Sequence, residues 1–403
     1  MTLRDVLGLA LLLLSALALV PAAVLLLQVL AAGWRGEAWT AAQSRPARTG
    51  TLAVLMPAHD EAGGIEPAIR AVMAQLAAGD RLLVVADNCS DTTAAVARAA
   101  GAEVIERQDG DRRGKGYALD HGVRWLERAA PPAAVVILDA DCMAAPDALQ
   151  RLAATSLASG RPVQALYLMH PPPGARLETR IAAFAWIVRN KLRPLGAAVL
   201  GGPCQLMGTG MAFPWPMLRD AQLASGHLVE DMQLGLDLAR AGTAPLFCPA
   251  AGVSSVFPLD RAAARTQRTR WEHGHLSMLV GVGPRLLALG LARGRPALMA
   301  MALDLMVPPL AALVLLLGGL ALADAAWWLG AGDPAPFVVA FVAFLFVDAA
   351  VLVAWWREGR RLIGVRELFG LPLYIAAKLP VYLRLLGKRQ VEWVRTKRDG
   401  AGR

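Results

Sequence analysis

Charge is scarce in this chain. Asp, Glu, Lys and Arg make up 18% of its 403 residues, against 56% hydrophobic residues. A soluble domain carries about a quarter charged residues, so an ordinary water-exposed globule is excluded and membrane segments joined to a globular part are expected. Cysteine is sparse too. Cys89, Cys142, Cys204 and Cys248 form no C-x-x-C pair and no metal-ligand spacing, and they read as thiols of a reducing compartment. No G-x-G-x-x-G follows the first expected strand. The turn there is His59-Asp-Glu-Ala-Gly-Gly64, which sets aside a dinucleotide-binding dehydrogenase. Lys115 lies in Arg112-Arg-Gly-Lys-Gly116, outside a Walker frame. The net charge is +9, yet no aromatic-rich basic stripe, finger or helix-turn-helix goes with it, so nucleic acid is not an expected partner.

Long apolar runs are what the chain does have. Val6 to Ala32 carries no charge. It exceeds both the roughly 20 residues that span a bilayer and the ~7–15 of a signal-peptide core. Two further spans are expected at Pro296–Leu322, interrupted by Asp304, and at Phe337–Trp356, interrupted by Asp348. Arg35, Arg45 and Arg48 follow the first run, and Arg357, Arg360 and Arg361 follow the last. The link Ala323–Pro336 has acids but no Lys or Arg. Positive residues stay inside, so the large middle segment and the C-terminus are expected in the cytosol, at the cytoplasmic (inner) membrane. Ser277–Leu291 and Leu362–Leu386 are apolar but broken by Gly, Pro and basic residues. They read as helices lying in the interface, with a fourth span over 362–386 as the alternative. The tail Lys388–Arg398 reads as a basic surface helix. The expected organisation is a membrane helix at 1–34, a cytosolic domain at 48–260, an interface segment at 261–295, two membrane helices at 296–356 and an amphipathic, basic cytosolic region at 357–403.

Within the middle segment strands and helices alternate. Strands are expected at Thr51–Met56, Arg81–Ala86, Glu103–Ile105 and Ala134–Leu138, with helices at Gly64–Ala78, Asp91–Ala100 and Gly114–Ala129 between them. That order predicts an α/β domain with a mostly parallel sheet covered by helices on both faces. Ligands of such sheets collect at the carboxyl ends of the strands. Polar clusters sit there: Pro57-Ala-His-Asp-Glu61, Asp87-Asn-Cys-Ser-Asp91 and Asp139-Ala-Asp141.

Asp139 and Asp141 are two apart on extended chain, so their carboxylates share a face. Hard oxygen ligands so placed suit Mg2+ or Mn2+, which in turn can hold a diphosphate. Asp87 can close an Asx turn with Asn88 and Ser90. Lys115, with Arg112 and Arg113, lies in a glycine-rich stretch that can close over phosphates. Glu230-Asp231 precedes a helix running to Ala241, where Asp231 is read as a general base and can also serve as an N-cap. Arg270 can bind diphosphate oxygens bidentately, and Trp271 offers a flat face to a sugar ring. His273 and His275, two apart on a helix, do not share a face.

The ordered series Pro57-Ala-His-Asp-Glu61, Asp87-Asn88, Lys115-Gly116, Asp139-Ala-Asp141, Glu230-Asp231 and Gln267-Arg-Thr-Arg-Trp271 resembles glycosyltransferase family 2. It is most similar to the membrane-embedded branch of cellulose, chitin, hyaluronan and poly-N-acetylglucosamine synthases. The resemblance covers about 50–275 and the flanking spans, and it implies a GT-A-like fold. It implies an inverting hexosyltransferase that moves a sugar from a UDP-hexose or UDP-N-acetylhexosamine to a polysaccharide or glycan acceptor. Donor contacts would come from Pro57, His59, Glu61, Asp87, Lys115, Asp139, Asp141, Gln267 and Arg270, with the metal on Asp139 and Asp141. Asp231, with Glu230, would carry catalysis. Gly208, Thr209 and Gly210, in the loop Gly201–Gly210, and Trp271 would meet the acceptor. Implied partners are the nucleotide sugar, a glycan or lipid-linked acceptor, the bilayer and polysaccharide export proteins. Transfer of one sugar to a lipid and a non-catalytic, sugar-nucleotide-binding subunit of a secretion complex are the alternatives.

Overall fold

The computed structural model describes residues 2–43, 47–225, 229–379 and Tyr382, without the side chains of Ala42, residues 261–266 and Arg268. The chain divides into two compact units. One comprises the chain up to Glu37, Gly174–Gly202 and the chain from Glu272; the other comprises Ala38–Pro173 and Pro203–Trp271.

The second unit is built on one sheet of eight strands. These are β1 (Leu52–Ala58), β2 (Arg81–Asp87), β3 (Glu103–Arg107), β4 (Ala134–Ile137), β5 (Met143–Ala144), β6 (Val163–His170), β7 (Met211–Pro214) and β8 (Leu246–Val256). Their order is β3-β2-β1-β4-β7-β6-β8-β5. β3, β2, β1 and β4 are parallel, as the alternating pattern predicts. β7 runs antiparallel between β4 and β6, and β5 antiparallel to β8, so the sheet as a whole is mixed. The far half left little trace in sequence for identifiable reasons. β7 has only four residues, and β8 contains Pro249. A register shift between Ala165 and Leu166 skips from Cys248 to Gly252, which takes that proline out of the ladder.

β1 and β2 are buried along almost their whole length, on both faces, which is why they read as continuous apolar runs. Pro57 lies inside β1, paired with Val85 on one side. β4 pairs β1 only as far as Leu55, so the proline's missing N–H falls where that edge has already ended. The helix Lys115–Ala129 turns Ala118, Leu119, Val123 and Leu126 onto a core of Leu55, Leu83, Val85 and Phe213.

Among the described residues of the first unit three helices are long and apolar enough to cross a membrane: Leu3–Ala41, Leu310–Ala331 and Ala335–Gly359. A bent pair, Thr269–Gly281 and Gly283–Ala292, makes a fourth if the two are one span. The run expected at Pro296–Leu322 is divided. Pro296–Leu305 is a short helix, and the long one starts at Leu310, after Pro308-Pro309 has removed two donors and barred helical geometry before them. Asp304 therefore lies in the short helix. Asp324, expected in a link, is fully buried within the long one and accepts a bond from Ser15 Oγ at 2.7 Å. Asp348 is exposed on Ala335–Ala354. Over 362–379 the chain forms only the short helices Val365–Leu368 and Leu371–Ala376, neither of them long enough to span. The basic stretch Lys388–Arg398 lies outside the described residues.

A helix that stops among apolar neighbours leaves carbonyls to satisfy. At the end of Pro296–Leu305 two side chains do this. Arg193 Nη2 donates to Asp304 O at 2.6 Å and to Asp304 Oδ1 at 2.9 Å, and His275 Nε2 donates to Leu305 O at 3.0 Å. Gln28 Nε2 donates to Asp304 Oδ1 at 2.9 Å, and Gln28 Oε1 accepts from Arg193 Nε at 3.4 Å. The cation also sits favourably against the negative end of the helix dipole. Gly196 lets the backbone of Gln28 approach: a Cβ there would lie 1.9 Å from Gln28 O.

Candidate active site

Three loops meet at the carboxyl ends of β1, β2 and β4. Beyond β4, Leu138 N still donates to Leu55 O at 3.1 Å, and the chain then turns through Asp139, whose carbonyl accepts from Cys142 N at 3.0 Å. That turn brings a carboxylate oxygen of Asp139, one of Asp141 and Cys142 Sγ all within 4.8 Å of one another. The thiol of Cys142 donates to Asp141 Oδ1 at 3.5 Å. Burial, and then the charges of Asp141 and Asp139, push its pKa well up.

Lys115 begins its helix beside this turn. Its ammonium is bonded to Asp139 Oδ1 and donates to Gly208 O at 2.7 Å. Burial alone would lower its pKa, but Asp139, Glu230 and Asp231 outweigh that and hold it above the usual lysine range. The next residue has to be glycine. A Cβ on Gly116 would lie 2.5 Å from Leu223 O and 2.7 Å from Ser225 O. Lys115, Gly116, Met211, Leu223, Glu230 and Asp231 line one cleft.

The loop carrying Gly208, Thr209 and Gly210 runs beside Lys115 and Asp231. Gly208 has φ +87°, and a Cβ there would lie 3.3 Å from Asp231 Oδ2 and 3.7 Å from Lys115 Nζ. Thr209 is buried, and its Oγ1 accepts from Asp139 N at 3.0 Å. Gln164, fully buried on β6, clamps this loop. Its Nε2 donates to Thr209 O at 3.0 Å, and its Oε1 accepts from Met207 N at 2.8 Å. Sequence reading passed over Gln164. A glutamine pointing inward from an otherwise apolar strand was the available signal.

Glu230 and Asp231 occupy the first turn of Glu230–Ala241, where the positive helix end favours acids. Val229 is the N-cap residue, so the capping alternative for Asp231 falls. Burial, and then the neighbouring Asp231 charge, push Glu230 up to about 7.

A second cluster forms on the β1 and β2 loops. Asp87 is buried and accepts from Arg107 Nη1 at 2.6 Å. Arg107 also bonds Asp109 Oδ2 and Arg112 O, which ties down the basic loop before Lys115. Asn88, at φ 52°, accepts from Asp109 N at 2.7 Å, so it braces that loop rather than closing its own turn. His59 Nδ1 donates to Asp87 O at 2.7 Å, and Glu61 N donates to Thr93 Oγ1 at 2.7 Å. Asp60, Cys89 and Asp91 bring one ligand atom each within 4.8 Å of one another. Both thiol–acid clusters draw on side chains that spacing alone did not group as ligands.

Gln267, Arg270 and Trp271 lie on the helix Arg261–Gly281 at the i, i+3, i+4 spacing that shares a face; Gln267 is buried and the other two half-buried.

A profile described as glycosyltransferase like family 2 matches residues 49–274. No curated protein matches. Among solved structures, the mannosyltransferase PcManGT from Pyrobaculum calidifontis, in complex with GDP-Man and Mn2+, is similar at 19% identity and TM-score 0.50. The match covers 86% of this chain and 99% of that one. Glucosyl-3-phosphoglycerate synthase from Mycobacterium tuberculosis, in complex with Mg2+ and UDP, is matched at 25% identity and TM-score 0.38, over 60% of this chain and 82% of that one. The PcManGT likeness extends to the fold, a GT-A-like mixed sheet with helices. With the profile spanning more than half of its length, the chain belongs to glycosyltransferase family 2 and is a glycosyltransferase of that family.

Proposed function

We propose that the protein transfers a hexose or N-acetylhexosamine, with inversion, from a nucleoside-diphosphate sugar to a glycan acceptor at the cytosolic face of the inner membrane. The observation that carries this reading is the convergence of Asp139, Gly208, Glu230 and Asp231 around Lys115. One ammonium stands there among several acids. That is the electrostatics of a site that takes a cation and a phosphorylated substrate together.

The donor set beyond β4 fits a hard divalent cation, since two carboxylates present oxygens within reach of one ion. Mg2+ or Mn2+ held by Asp139 and Asp141 would neutralise diphosphate charge and stabilise the leaving group. Lys115, kept charged by its acidic neighbours, binds the same phosphates, and Arg270 assists. Asp87, with His59, Glu61 and Pro57 on the adjoining loops, faces the nucleoside. Gly208–Gly210 and Trp271 hold the acceptor, and Gln267 supports Arg270 and Trp271 on their helix.

Asp231 accepts the acceptor hydroxyl's proton as that oxygen attacks the anomeric carbon. Its neighbour Glu230 carries a proton for part of the time near neutral pH, which spares the pair full like-charge repulsion. No covalent sugar–enzyme intermediate is needed, so an α-linked donor yields a β-linked product. The test is a panel of UDP- and GDP-sugars with Mn2+, glycan and lipid acceptors, and product analysis. One donor should give a β-linked product, and retention of the donor's anomeric configuration would overturn the mechanism. Single-sugar products confined to lipid acceptors would replace the polymer reading with lipid glycosylation.

A further inference from the structure

Cys142 adds something that two carboxylates do not. Its sulfur is buried, faces the Asp139–Asp141 turn and lies 3.5 Å from Asp141 Oδ1. Oxygen and sulfur donors at about 2.1 and 2.3 Å from Zn2+ lie about 3.6 Å apart at the tetrahedral angle. The spacing already present therefore suits a thiophilic cation with little movement. Mg2+ prefers oxygen and leaves such a thiol protonated, whereas Zn2+ and Cd2+ take sulfur.

We propose that Cys142 makes this turn a binding site for thiophilic divalent cations, with Zn2+ held by Cys142 Sγ and the carboxylates of Asp139 and Asp141, where it competes with Mg2+ or Mn2+ and stops transfer. On binding, the Zn–S bond replaces the S–H bond and the proton leaves to solvent; nothing is oxidised or reduced. The proposal rests on the reading of Asp139 and Asp141 as the divalent-cation site. It differs from that reading in making the residue after the second acid decide which cations poison the enzyme.

The experiment uses the full chain in detergent with Cys89→Ser, which silences the other thiol–acid cluster. Cd2+ titration should raise one thiolate-to-metal charge-transfer band per chain in the ultraviolet. Mn2+ with UDP should suppress it. Adding Cys142→Ser should abolish it and weaken Zn2+ binding by more than about tenfold, at least what loss of an outer-shell partner costs. Should the double variant fold poorly, zinc X-ray absorption of the Cys89→Ser protein reads the ligand directly, with a sulfur scatterer expected at about 2.3 Å. A band that survives Cys142→Ser, or a zinc shell of nitrogen and oxygen alone, overturns the proposal. If Mn2+ with UDP still binds in that case, by electron paramagnetic resonance, the hard-cation reading of the two acids stands; if Mn2+ does not bind, both fall.

Discussion

The two units of this chain both bury charge, and they treat it differently. In the helical unit one buried cation has its match. Arg193 is set against Asp304, with Gln28 filling the remaining positions and His275 capping the adjacent carbonyl. In the sheet unit one ammonium, Lys115, is set against Asp139, Glu230 and Asp231, with Asp141 beside them. A closed set of partners gives rigidity and register; an excess of one sign leaves a demand that a ligand must meet. The contrast separates a structural network from the proposed site without reference to any sequence motif.

The largest effect that would sharpen this contrast is catalytic. Asp231→Asn should cut turnover by roughly 10²–10⁴-fold while UDP still binds in the presence of Mn2+, read by product formation and calorimetry. Unchanged turnover would remove the base assignment. Arg193→Ala should act on stability instead. Stripping a buried ion pair of one partner costs about 3–5 kcal/mol, so thermal unfolding in detergent should occur at clearly lower temperature while the folded fraction binds UDP as before. A change in UDP affinity with no loss of stability would erase the distinction between the two sets of charges.

Gly208→Ala should fall between. Its left-handed backbone costs an L-residue about 1–2 kcal/mol, and the new methyl would press on Asp231. Turnover should drop more than stability, seen by comparing kcat with the melting temperature. The smallest effect is a pH dependence. Glu230 is raised from the usual 4.5 to about 7, so between those values the folded chain holds a proton that the unfolded chain has released. Stability therefore falls as pH rises through that window and levels off above it. Glu230→Gln should abolish that slope, read by thermal unfolding across that pH range. A slope that persists in the variant assigns it to another group.

Much of the sheet unit was readable beforehand, because β1, β2 and β4 are buried on both faces and announce themselves as apolar runs ending in acids. The Asp139–Asp141 pair was legible as two acids after an apolar run, but the strand ends at Ile137 and a turn closed by Cys142 N on Asp139 O, not extended chain, brings their oxygens together. What sequence could not yield was contact between distant segments. Lys115 on Gly208 O and Gln164 on Thr209 depend on how β6 and β7 join the sheet, and short or proline-bearing strands carry little periodic signal. In the helical unit hydropathy located apolar runs but not their ends. Pro308-Pro309 moved one start by more than ten residues, leaving Asp304 in the short helix before it and Asp324 inside the long one.

The most direct measurement is release of nucleoside diphosphate from a nucleotide sugar by purified, folded protein, with and without Mn2+, in the native chain and in Asp139→Ala/Asp141→Ala. The account predicts metal-dependent release by the native chain and its loss in the variant. Full-rate release by a variant that melts like the native protein would contradict it.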